Sequence, residues 1–159
     1  MHEQEAPREG CGNEGLNRSA EDDGGNQIMN AETFIEQFNA TQKTAHDINV
    51  ANGWWYERLQ MMDILKDSGK FTPEALRALL GIHLIGLIHT EPSEAVESLR
   101  KPTLPIDSTE PHSCARELAG TIIRIMDMAE VMGIPVAAGI VEEIKCNAGR
   151  GKMHGGNVA

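Results

Sequence analysis

An all-α fold follows from three features of the sequence. Hydrophobic residues make up 40% of the 159 positions and aromatic residues only 4%. The core must therefore come from Leu, Ile, Met and Ala, a set that favours helices over sheets. Apolar residues recur at helical spacing through several long segments, and cap-forming residues or glycines bound those segments. The length suits one domain with a substantial core.

Residues 1–28, rich in Glu, Asp, Gly and Asn and almost without apolar anchors, read as a disordered acidic tail. Residues 29–148 read as the helical domain. Its first helix starts after Asn30, a good N-cap, with Glu32 in the first turn. It carries Phe34, Ile35, Phe38, Ala45 and Ile48 on one stripe and stops at Gly53. A short helix follows in "WWYERLQMMDILKDSGK" and ends at Ser68 and Gly69. The longest helix spans "FTPEALRALLGIHLIGLIHTEPSEAVESLRK", with Thr72 as cap, Pro73 in the first turn, and a bend or loosened turn expected near Ile88 because of Pro92. "KPTLPIDSTEPHS" is a loop. "CARELAGTIIRIMDMAEVMG" is a helix closed by Gly133, and Pro135 opens another. Residues 149–159 are Gly-rich and basic. Together these elements predict a four-helix-type bundle.

The formal net charge of -10 makes duplex nucleic acid and anionic membranes poor partners. No apolar run approaches the ~20 residues that span a bilayer, and "MHEQEAPREG" is too polar for a signal peptide. Cys11, Cys114 and Cys146 form no CxxC and read as reduced thiols. The expected setting is cytoplasmic.

The chemistry concentrates on two helices. At about 100° per residue, Leu80, Leu84, Leu87, Ile88, Ala95 and Leu99 form one stripe, and Glu91 falls inside it. Glu94 sits at its edge, while Glu97 faces solvent. An unpaired carboxylate against a core must neutralise or find a cation. A single Glu there would read as solvated, but an i, i+3 pair aimed one way points to a metal site. On the next helix Glu117, Gly120, Arg124 and Asp127 share one line. Alone, that line reads equally well as a solvated face with an Arg124–Asp127 ion pair. Lys145, Arg150, Lys152 and His154 cluster around Asn147, a basic patch able to grip phosphate oxygens or simply a solvated terminus. Trp54 and Trp55 either cap the core or stack a base. The His46-Asp47 doublet is too common a dipeptide to argue for HD-type phosphohydrolase chemistry.

Residues from about 31 to 157 resemble the MazG-like nucleoside triphosphate pyrophosphohydrolases, which include viral members. "NGWW", "LIHTEPSEAVESLRK", "ELAGTIIRIMDMA" and "NAGRGKMHGG" occur in that family's order. The resemblance implies an all-α homo-oligomer, a dimer or tetramer. It implies cleavage of a (deoxy)nucleoside triphosphate, with guanine nucleotides among the candidates, to the monophosphate and pyrophosphate. The cofactor would be Mg²⁺, with Mn²⁺ as substitute. Glu91 and Glu94 match the family's ExxE, and Glu117 the first member of its ExxD. Asp127, the remaining carboxylate on that line, joins the expected metal set from two turns beyond Gly120, where it would hold a second ion or orient a ligand rather than replace the missing side chain. Gly120 stands where the family has Asp, which opens the alternative of a non-catalytic nucleotide- or metal-binding module. Trp55, Lys145, Asn147, Arg150 and His154 are the expected substrate contacts.

Overall fold

A computed structural model describes residues 30–149, and these form five helices with no strand among them. The ends follow from local chemistry. Helix α1 (Ala31–Ala51) begins at Asn30, whose side-chain oxygen accepts from the Glu32 and Thr33 amides. Helix α2 (Tyr56–Asp67) ends at Ser68 and Gly69. Helix α3 (Pro73–Arg100) is capped by Thr72, whose hydroxyl accepts from the Ala75 amide, with Pro73 in the first position. Helix α4 (Cys114–Met132) is capped by Ser113 and closed by Gly133, which has a φ of 62° and so takes a left-handed conformation that a side chain would strain. Helix α5 (Val136–Gly149) follows a three-residue link.

Helix α4 is central. It packs along α3 on one side and α1 on the other, while α5 lies against α1 and α2 against α3. The core gathers Trp55, Leu84 and Met132, with Leu80, Met128 and Val131 packed around them. Arg77 of α3 donates to the Met132 carbonyl at the end of α4, satisfying one of the acceptors that a helix C-terminus leaves over.

Helix α3 stays helical through Pro92. The ring removes the amide that would meet the Ile88 carbonyl. Hydroxyls work on either side of the gap: Thr90 donates to the Leu87 carbonyl at 2.7 Å and Ser93 to the His89 carbonyl at 3.1 Å. Leu84 and Ala95 are buried as the stripe requires. Leu99 departs from that stripe and is 52% exposed, because the last turn borders the loop leading to α4 rather than a neighbouring helix.

Candidate metal centre

Helices α3 and α4 bring three carboxylates together. Glu91, Glu94 and Glu117 each offer an oxygen within 4.8 Å of the others. Two oxygens on one ion at about 2.0–2.6 Å cannot lie more than about 5 Å apart, so the three fit a single divalent cation. The pair on α3 is one helical turn apart, and Glu117 stands in the first turn of α4, placed by the Ser113 cap. The side chains of Glu91 and Glu117 are each 12% exposed, whereas Glu94 is open to solvent. Burial raises the Glu117 pKa, and the negative charges of Glu94 and Glu91 and a hydrogen bond with Glu94 push it the same way. The exposed His112, 3.8 Å away, opposes this only in part. The result is a recess of three carboxylates able to hold a metal ion.

Beside it lies a cavity of about 200 Å³. Glu91, Gly120 and Arg124 line one side. Leu84, Leu87 and Ile123 supply apolar walls, and Asn49, Trp54 and Arg58 come from the end of α1 and the start of α2. Arg124 Nε donates to Glu91 Oε1 at 2.5 Å. This replaces the Arg124–Asp127 pair considered from the sequence: one turn of α4 separates those two residues, but the α3–α4 packing puts Glu91 closer to the guanidinium.

Asp127 also lines the cavity and is 7% exposed. It is not among the three clustered glutamates. Its Oδ1 accepts from Trp55 Nε1 at 3.0 Å and lies 2.6 Å from His46 Nδ1, which donates if the carboxylate is ionised. His46 meets Asp127 rather than Asp47, its neighbour in the doublet. Asp47 instead pairs with Lys43 one turn earlier. Trp55 is 2% exposed, its ring inside the core, so the indole that faces the cavity is Trp54.

Lys145 pairs with Glu142 on α5, and Asn147 is exposed on the same helix, which packs against α1 rather than against the α3 glutamates. Arg150 and His154, like residues 1–28, lie outside the described residues. Cys114 is a free thiol, as expected, and Cys11 lies outside the described residues.

Asn49 and Arg58 were missed from the sequence, where Trp54 stands only as one of two tryptophans that could stack a base. They reach the cavity because the α1–α2 turn folds back over α3 and α4, and no local pattern signals that. The Lys43–Asp47 pair, also not read from the sequence, does have a local signal in its i, i+4 spacing.

Among the described residues no helix is long and apolar enough to cross a membrane. No family model, curated protein or solved structure matches the chain. Fold and site thus define an all-α helical domain with an acidic, metal-capable cluster beside a cavity.

Proposed function

We propose that the chain is a MazG-like, metal-dependent pyrophosphohydrolase that converts a (deoxy)nucleoside triphosphate to the monophosphate and pyrophosphate. The observation that carries this reading is the convergence of Glu91, Glu94 and Glu117 from two helices beside a cavity that Glu91 lines. Divalent Mg²⁺ or Mn²⁺ would supply phosphate neutralisation and an acidified water. The protein's part is positioning and charge. Glu91, Glu94 and Glu117 hold the ion. Arg58 and Arg124 give the cavity positive charge, and Trp54 offers an aromatic wall. Lys145, Asn147, Arg150 and His154 are proposed phosphate contacts, carried by the family resemblance. Asp127 supports the site from behind by fixing Trp55 and His46. Both hydrogen bonds fall on Oδ1.

A homo-oligomer acting in the cytoplasm on the nucleotide pool belongs to the same proposal. Large apolar side chains exposed on α3, among them Ile82 (69%) and Val96 (56%), support the oligomer.

The test is a panel of common NTPs and dNTPs with Mg²⁺ or Mn²⁺, assayed for monophosphate and pyrophosphate. Turnover of at least one substrate is expected, and its loss by 100-fold or more in Glu91→Gln and in Glu94→Gln. Normal turnover in either variant removes that residue from the metal set.

Two observations favour a second reading. Gly120 offers no carboxylate, and Glu91 is already held by Arg124. A binding module that retains nucleotide without cleaving it fits those two facts. Stoichiometric nucleotide binding with no product from any panel member would select it.

A further inference from the structure

The Glu91 carboxylate serves two neighbours. Its Oε1 accepts from Arg124. Its Oε2 lies directly over Gly120, so close that a Cβ on that residue would overlap it. The absent side chain lets Glu91 lie across α4 and reach the guanidinium one turn further on. Arg124 is 30% exposed and lines the cavity. Among the described residues its terminal nitrogens have no hydrogen-bond partner, so half of a fork suited to phosphate oxygens remains unused.

We propose that Arg124 is a built-in competitor for the divalent ion and the receptor for an incoming oligophosphate. Without ligand, it neutralises Glu91. An oligophosphate in the cavity draws the guanidinium away and hands the Glu91 carboxylate to the ion. This rests on reading the three glutamates as a divalent-ion site. One carboxylate cannot give its full attraction to two cations, so the free protein binds the ion weakly. Ion and oligophosphate then bind with positive coupling, and the coupling is reciprocal. Gly120 is the residue that makes the competition possible.

The experiment uses the full chain and two probes: Mn²⁺ alone by calorimetry, and a methylene-bridged nucleoside triphosphate analogue alone in the presence of chelator. Arg124→Gln is expected to bind Mn²⁺ at least tenfold more tightly than the parent and the analogue at least tenfold more weakly. Gly120→Ala leaves the arginine in place but forces Glu91 off it, and should also tighten Mn²⁺ binding. It guards against a folding defect in Arg124→Gln. Arg100→Gln removes the same unit of charge from α3 without touching Glu91, and should leave Mn²⁺ affinity within about twofold. An unchanged or weaker Mn²⁺ affinity in both Arg124→Gln and Gly120→Ala overturns the proposal. So does an unchanged analogue affinity in Arg124→Gln, or an equal gain of Mn²⁺ affinity in Arg100→Gln. If no protein in the set shows a stoichiometric Mn²⁺ site, the metal reading itself falls, an outcome distinct from a site that is present but indifferent to Arg124.

Discussion

Glu117 carries the clearest electrostatic consequence of the glutamate cluster. Its pKa is raised above the ordinary 4.5 by burial and by Glu94 and Glu91. The folded state therefore holds this proton more tightly than the unfolded chain does. The stability it contributes is fully present below the unfolded pKa and is lost as pH rises through the folded one. In chelator, the melting temperature of the parent should fall relative to Glu117→Gln as pH climbs from about 4.5 through neutrality. Mn²⁺ should restore the parent and not the variant, because the ion binds the ionised carboxylate. Parallel melting curves for the two proteins across that range would show that Glu117 is not strained by its neighbours. Asp127 differs in kind, since its two hydrogen bonds stabilise the fold. Asp127→Asn keeps the shape but weakens the grip on Trp55 and His46. It should cost about 1–3 kcal/mol in urea unfolding, and a loss below ~0.5 kcal/mol would mean the pair of bonds adds little net stability.

Caps and breakers explain most of the helices. Asn30, Thr72 and Ser113 each accept a backbone amide at a helix start, and Gly133 closes α4 in a left-handed conformation. Because this chemistry lies within three or four residues, it is readable without the fold. Pro92 is the exception. An interior proline costs about 3 kcal/mol relative to alanine, yet α3 passes through it as a 28-residue helix. Its long contact with α4 outweighs the local penalty, which propensity alone could not reveal. Pro92→Ala should therefore raise stability, by up to about 3 kcal/mol, as read from the shift in urea midpoint. If stability falls instead, the ring itself packs usefully beside Glu91.

At the scale of the whole fold, the described residues leave many large apolar side chains exposed. Helix α2 buries no residue fully, and α3 exposes Leu79, Ile82, Ile85 and Val96. Such faces mark association surfaces when contiguous. Sedimentation should give a species heavier than the 17.3 kDa chain, and Ile82→Glu, which places a charge on the outward face of α3, should shift it toward monomer. A monomeric parent would leave that face to another role.

The sequence by itself determined the helical class, the caps at Asn30 and Thr72, the stop at Gly133 and the Glu91–Glu94 pair on α3. Each depends on neighbours along one helix, and the 3.6-residue period brings such residues together whatever the rest of the chain does. Only the tertiary structure decided which partner each polar group takes. It sent Arg124 to Glu91 instead of Asp127, His46 to Asp127 instead of leaving it with Asp47, and Trp55 to the core while Trp54 lines the cavity. Those pairings join residues 33 and 81 positions apart. The packing of α1 and α3 against α4 sets those distances, and no local periodicity records how helices pack.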